Sequence, residues 1–386
     1  MFHLRSSLSF SSDVRGGGGG HRANTSHLWR NEACPRIIWR LSIFVLTASL
    51  VVAALGREGG QQPATIPEMW GAWCARCHAQ DGTGKIAEPT VKVQPMDFTD
   101  CKLTTAEPDA DWERAIAKGG PGVGLSPQMP AFEDSLSAEQ VSAFVSHIRG
   151  FCKERGWPSG NNNFPRPIVT EKAFPENEFL ILPAISHDKE VEIVGLYEMR
   201  LGKRSMFEVA VPAVSVPGDP RAGGIGDLEV SLKHTIFARA QTPRIVSLGL
   251  DAVIPSGNDE KGLGHGTAFF EPFISAGAML GNWYLQTQVK VELPVDPDKA
   301  ERAFVYNGYL GRDTSMAPNT WTLGVELNGE NHEVSLTPQV RKGLTGTGAL
   351  AMSIGAMVPI NEREERGVRW VGYLLWEFLE PLRARK

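Results

Sequence analysis

The sequence predicts two dissimilar parts in one chain: a small all-α domain, then an all-β antiparallel barrel of about twelve strands, of the transmembrane type. Three observations carry that prediction. Apolar residues recur at helical spacing as far as Phe151. Residues 155–172 then hold Pro158, Gly160, Asn161 to Asn163, Pro165 and Pro167 without any periodic apolar pattern, which reads as a boundary. Beyond them apolar and polar residues alternate strictly over stretches of ten residues or more, longer than the roughly five or six of a soluble strand.

Composition limits the rest. The 386 residues allow one large domain or two to three ordinary ones. A net charge of −5 excludes the basic field that nucleic-acid binding needs. A mean hydropathy of −0.18 excludes a bundle of transmembrane helices, but not a barrel, in which only alternate residues face lipid. No Ser-His-Asp set, carboxylate pair or phosphate loop has a supporting context, and the glycines at 262–266 fall between strands rather than before a helix.

The single long apolar run, Leu41 to Leu55, follows Arg36 and Arg40. It is shorter than the roughly 20 residues that span a bilayer, and it ends in small residues at Val52-Ala53-Ala54. It reads as a secretory signal, with an uncleaved anchor helix as the other reading. The expected organisation is a leader and signal peptide at 1–56, the helical domain at 57–154, a linker at 155–172 and the barrel at 173–386. Residues 1–56 carry six basic and two acidic side chains, so the remainder is more acidic, at −9. Export also implies an oxidising compartment.

The helical part carries the chemistry. Residues 74–78 read Cys74-Ala75-Arg76-Cys77-His78, the attachment signature of c-type haem. Two thiols about one helical turn apart can add to the two vinyl groups of one haem, and the next residue turns its imidazole to the iron. A zinc site would need a second ligand pair, and a thioredoxin-like site a βαβ context; the sequence has neither. One covalently attached haem c is therefore expected, on Cys74 and Cys77, with His78 as the proximal iron ligand. Candidates for the distal ligand are Met69, Met96, Met129 and His147. Met129, in the proline-stiffened Ser126-Pro127-Gln128-Met129-Pro130-Ala131-Phe132, is preferred, with Met96 second. His147 is set aside because its spacing puts it on the polar side of its helix.

Three helices are expected around this site. Residues 67–76 lead into the haem motif, and 109–118 carry Trp112, Ala115 and Ile116 on one face before Gly119-Gly120. The last, 137–152, opens with a Ser137–Gln140 capping box and places Val141, Phe144, Val145, Ile148 and Phe151 at helical spacing.

The turn Ala79-Gln80-Asp81-Gly82-Thr83-Gly84 resembles the post-haem turn of class I cytochromes c, with Ala79 standing where that family usually has Gly. Asp97-Phe98-Thr99-Asp100-Cys101, Glu107-Pro108-Asp109, Gly119-Gly120-Pro121 and Arg149-Gly150-Phe151-Cys152 look like a bacterial mono-haem subgroup with an extra cysteine pair. The resemblance, together with export, implies a disulfide between Cys101 and Cys152; two separate buried thiols are the alternative. It further implies one-electron Fe(III)/Fe(II) chemistry with both axial positions filled, hence an electron carrier rather than an enzyme.

Twelve alternating segments follow, near 174–186, 191–201, 205–216, 226–238, 244–255, 268–280, 283–294, 302–310, 320–328, 332–342, 349–360 and 368–379. In one of them Trp283, Leu285, Thr287, Val289, Val291 and Leu293 oppose Tyr284, Gln286, Gln288, Lys290 and Glu292. Trp283, Tyr306, Tyr309, Trp321, Trp370, Tyr373 and Trp376 lie near segment ends, as an interfacial girdle requires. The longer connections, near 217–225, 256–267 and 295–301, follow odd-numbered segments and would face outward, although 311–319 breaks the rule. A soluble β-sandwich or soluble barrel is the competing architecture.

Gly224-Ile225-Gly226-Asp227-Leu228, and Val253-Ile254-Pro255-Ser256-Gly257 with Gly262, Gly264 and Gly266, resemble an outer-membrane barrel family associated with phenol-degradation pathways. The expected function is haem-dependent one-electron transfer at the periplasmic mouth of an outer-membrane barrel, with a periplasmic redox partner protein, outer-membrane lipid and no nucleic acid as partners. The alternative is an outer-membrane solute channel with a redox-sensing haem domain. The sequence leaves the oligomeric state open.

Overall fold

A computed structural model describes residues 65–86, 91–218, 222–315, 319–361 and 367–378 of the chain. The expected leader and signal peptide, with Cys34, lie outside the described residues.

Helix α1 is a continuous run of Ile66–Met69, a π turn Trp70–Cys74, and Ala75–His78. It is followed by α2, Cys101–Thr104; α3, Asp109–Gly122; and α4, Ala138–Arg149. The start of α4 follows from its sequence: the Ser137 hydroxyl accepts from the Gln140 N–H, and the Gln140 side chain accepts from the Ser137 N–H. Two otherwise unpaired donors are thereby satisfied, which stabilises the helix by about 1 kcal/mol. Val141, Phe144, Val145 and Ile148 of α4 bury against Trp70, Phe98, Trp112 and Ile116. In α3 the expected stop at Gly119 is a break, with φ 66°, after which one more turn runs through Pro121.

The barrel comprises β1 Glu178–Ile185, β2 Val191–Leu201, β3 Ser205–Val216, β4 Ala222–Ile225, β5 Leu228–Arg239, β6 Arg244–Ile254, β7 Phe269–Leu280, β8 Trp283–Pro294, β9 Ala303–Asp313, β10 Trp321–Glu330, β11 Glu333–Gly343, β12 Leu350–Pro359 and β13 Arg369–Glu377. Sequence neighbours pair antiparallel, except that β3 reaches past β4 to pair β5, from Ser205↔His234 to Ala210↔Glu229. Pairing of β1 with β13, at Glu178↔Glu377 and onward, closes a ring of twelve strands. Short β4 pairs only with the end of β3. The expected segments coincide with the twelve barrel strands apart from small end shifts; the largest are at β1, which begins at Glu178 rather than 174, and β9, which runs on to Asp313.

The faces are inverted relative to a water-soluble barrel. Leu232, Leu250, Phe270, Ile274 and Leu323 point outward and are exposed, while Lys233, Ser247, Glu271, Gln286 and Lys290 point inward and are buried. A soluble sandwich or barrel would place the apolar set inside. The opposite distribution suits hydrocarbon outside and a polar interior, with each of the twelve ring strands paired on both sides. Among the described residues no helix is long and apolar enough to cross a membrane. Leu250 lies mid-strand on β6, beside Leu232 of β5, so Leu250→Arg in lipid vesicles is expected to cost about 2–4 kcal/mol in unfolding titrations. A cost near zero would remove this face from lipid.

Two of the aromatics expected in the girdle face the other way. Tyr309 and Tyr373 are buried in the interior; Tyr373 donates to the Arg166 carbonyl at 2.8 Å. Tyr309 lies over Gly311 and Gly324, where a side-chain carbon on the first would meet its hydroxyl at 2.1 Å and one on the second its ring at 2.4 Å. Strand parity, not distance from the strand end, decides the direction. Trp283, Trp321, Trp370 and Trp376 do point outward.

The stretch expected to be a linker does not run over the surface. From Phe164 to Asn177 the chain lies within the barrel, and Phe164, Arg166, Ile168, Thr170 and Phe174 are each buried there. Gln286 donates to the Pro165 carbonyl at 2.8 Å, Ser247 to the Ala173 carbonyl at 2.6 Å, and the Arg200 N–H to the Asn177 side chain at 2.9 Å. Its prolines resemble linker composition because the segment satisfies its backbone largely on wall side chains rather than in a ladder.

Residues 154–162 connect the helical domain to one barrel mouth. Lys203, in the turn after β2, pairs with Glu154 at 3.1 Å and donates to the Arg155 carbonyl, and Arg204 donates to the Gly156 carbonyl at 2.8 Å. On the other side the Gly160 N–H donates to the Thr105 carbonyl at 2.7 Å, and Asn161 and Asp109 exchange two bonds of 2.8 Å. This mouth carries the turns 202–204, 240–243, 281–282 and 344–349, whereas 255–268, 295–302 and 331–332 belong to the far end.

Candidate functional site

The site begins at α1, whose last turn carries the two thiols and the imidazole. The π turn Trp70–Cys74 feeds directly into Ala75–His78. Cys74 and Cys77 are half-buried thiols not bonded to each other. Burial, with the neighbouring Cys77 adding to it, pushes the Cys74 thiol up to about 11, so it stays protonated at neutral pH.

His78 ends the helix. Its carbonyl accepts the Gly84 N–H at 2.9 Å, and the Gly82 carbonyl accepts the Phe98 N–H at 2.7 Å, so the post-motif turn is stitched to both sides. The imidazole stacks on Phe98, centroids 4.8 Å apart, with Trp70 at 6.1 Å. Burial pushes it down to about 4, which leaves a neutral imidazole, the form that binds metal, at physiological pH. Ala79 holds φ 62° and ψ 158°, a region nearly confined to glycine. The departure noted in the sequence therefore occurs where the backbone favours the family's usual residue.

The Met129 loop is built on Gly119 and Gly120. A side-chain carbon at Gly119 would meet the Met129 carbonyl at 2.7 Å, and one at Gly120 would meet the Ser126 carbonyl at 1.9 Å. The Gly120 N–H donates to the Met129 carbonyl at 3.0 Å. Only glycine lets the loop approach this closely, with φ 66° at Gly119 adding a second requirement. Met69 and Met96 pack in or against the apolar cluster around Trp70, whereas half-buried Met129 is not part of it.

His147 departs from its expected position. Its ring lies 5.4 Å from Trp70 and 5.1 Å from Phe151, and its Nε2 is buried without a hydrogen-bond partner. It sits on the edge of the inward face, and burial lowers its pKa. Position 147 lies three residues after Phe144 and one before Ile148, a flank that a simple polar-face reading assigns to solvent. A disulfide joins Cys101, at the start of α2, to Cys152, just beyond α4.

These residues fit a covalently held haem. Two thiols and a neutral imidazole stand on one helical turn, and the imidazole Nδ1 is buried without a partner. Trp70, Phe98 and Trp112 supply an apolar wall, and Trp112 Nε1 is likewise buried and unpaired. Arg149 sits over the Trp112 ring at 4.8 Å and pairs with Asp109 at 2.9 Å.

Residues 61–148 match the family model described as cytochrome c oxidase, cbb3-type, subunit III. The helical part is a cytochrome c domain, and the closed twelve-stranded barrel follows it. No curated protein matches the chain. Among solved structures, an outer membrane channel from Pseudomonas putida F1 is 14% identical and covers 56% of this chain and 100% of its own, with a TM-score of 0.41. The KdgM porin in complex with disordered oligogalacturonate is 8% identical and covers 52% and 99%, with a TM-score of 0.39. Outer membrane phospholipase A from Escherichia coli is 11% identical and covers 56% and 95%, with a TM-score of 0.34. At these scores the likenesses carry nothing about function.

Proposed function

We propose that this protein is an electron carrier of the outer membrane: a cytochrome c domain moored at the periplasmic mouth of a β-barrel, exchanging single electrons with a periplasmic redox partner protein. The observation that carries this reading is the Cys74–His78 turn, with its buried neutral imidazole, in a domain bound through residues 154–162 to a barrel mouth. Bound haem supplies one-electron Fe(III)/Fe(II) chemistry. Cys74 and Cys77 would hold it covalently, His78 would provide the proximal nitrogen and Met129 the distal sulfur. Phe98 stacks on the His78 ring while the Gly84 N–H holds the His78 main-chain carbonyl, and the Trp70–Trp112 wall limits water, which tunes the potential.

Two features support the membrane and its sidedness. The barrel exterior is apolar around its whole circumference. The short turns 202–204, 240–243 and 281–282 lie at the domain's mouth, as periplasmic turns do, with the longer 344–349 beside them, while the long 255–268 and 295–302 and the short 331–332 lie at the far end. Membrane fractionation with heat-modifiable gel mobility, followed by haem staining of the same band, tests the mooring; a haem-stained band in the soluble fraction overturns it. Met129→Ala is expected to abolish the thioether-to-iron charge-transfer band and lower the potential, while Met96→Ala leaves both in place. A band that survives Met129→Ala assigns the distal position to another side chain.

A further inference from the structure

We infer that residues 163–177 are a displaceable plug, and that the unplugged barrel is a channel for small cationic solutes with the cytochrome domain as the handle of the plug. The inference goes beyond electron transfer and rests on the reading of the barrel as membrane-spanning.

Many of the contacts that hold the segment are of a kind water can replace. One carboxylate, Glu326 of β10, accepts the N–H groups of Ile168 at 2.8 Å, Val169 at 3.1 Å and Thr170 at 2.6 Å, and the Thr170 hydroxyl at 2.6 Å. Arg166 bonds Glu178 of β1 and, at 2.7 Å, Glu198 of β2. Lys233 of β5 bonds the Glu171 carboxylate and the Lys172 carbonyl. When the segment leaves, water can satisfy the same wall groups, so each hydrogen bond contributes only about 0.5–1.5 kcal/mol net, or somewhat more where charged. An apolar wall would have no such second state. Two apolar patches seat the segment as well: Ile168 lies against Leu180, Leu196, Ala210, Val371 and Leu375, and Phe164, Ala173 and Phe174 lie against Ile245. A cavity of about 40 Å³ remains beside Ile168. The ring itself is closed by its strand ladder and does not depend on the segment.

The wall's charge selects the solute. Buried wall carboxylates such as Glu178, Glu198, Glu208, Glu229, Glu271 and Glu326 outnumber wall cations such as Lys233 and Lys290. Within the plug, Lys172 pairs with the segment's own Glu176 and Glu171 with Lys233 of the wall, so Arg166 alone answers the excess: its guanidinium occupies the place between Glu178 and Glu198 that a solute cation would take. The plug's stem is bound to the cytochrome domain at Thr105 and Asp109, so displacement of the domain draws directly on the segment.

The test is conductance of full-length, haem-loaded protein in planar bilayers under a KCl gradient. Wild type is expected to hold a sealed baseline with rare openings. Arg166→Ala combined with Glu326→Gln should raise the open fraction about tenfold or more, with a reversal potential on the cation side. A double variant that is haem-stained and heat-modifiable yet stays sealed overturns the plug, and an anion-selective current overturns the solute class. Val169→Cys in the otherwise unchanged chain provides a second measurement. A membrane-impermeant cationic thiol reagent should modify it slowly in the folded barrel and faster in the double variant. No modification while the urea-unfolded chain reacts fully marks a permanent seal and overturns the inference. Absence of a heat-modifiable form would instead overturn the membrane reading beneath it.

Discussion

Cys77→Ala is expected to yield a chain with no covalently held haem, so that haem staining of the denatured band falls to background, and His78→Ala is expected to do the same. Both residues stand on the final turn of α1, and attachment needs two thiols and an adjacent imidazole in one geometry. The effect should extend to the fold of the domain. Its apolar cluster is built around Trp70, Phe98 and Trp112 beside the motif, and a core in so short a segment is small without its prosthetic group. Helical circular dichroism should therefore lose its cooperative melt while the barrel keeps its heat-modifiable mobility. A Cys77→Ala band that still stains after denaturation would remove the haem assignment.

Opening the Cys101–Cys152 bond by Cys101→Ala with Cys152→Ala should cost about 4 kcal/mol, because the bond closes a loop over a sequence separation of 51. The loop spans α2, α3 and α4, so nearly all of the domain beyond the haem motif gains freedom in the unfolded state. At about 4–8 °C per kcal/mol for a domain of this size, the midpoint should fall by 15 °C or more. Thermal melts followed at the haem band check this, and a shift of only a degree or two would mean that the bond does not stabilise the domain. Unfolding of the barrel in lipid should be unchanged, since both cysteines lie outside its strands.

Local patterns were legible where one residue's neighbours along the chain decide its environment. The capping box at Ser137 and Gln140, the break at Gly119 and the strands β2, β3 and β8 stand where their sequences put them. The direction of the barrel faces was legible too: Gln286, Gln288 and Lys290 alternate with Leu285, Thr287 and Val289, and the polar set is the buried one. His147 was misjudged because helical spacing gives an angle and not the reach of a ring toward Trp70. Tyr309 and Tyr373 were misjudged because nearness to a strand end does not set parity.

The amino-acid sequence by itself determined that this protein has a haem-attachment turn, a capped helical domain around it and twelve alternating strands. Each of these is written in spacings of a few residues, and hydrogen bonding and burial act at that range. Only the tertiary structure decided what residues 163–177 do. Their partners, Glu326, Ser247 and Gln286, lie far away in the chain on separate strands, so no periodicity within the segment could record them. Closure of the ring brings those side chains to one lumen, and the lumen turns an apparent linker into its contents.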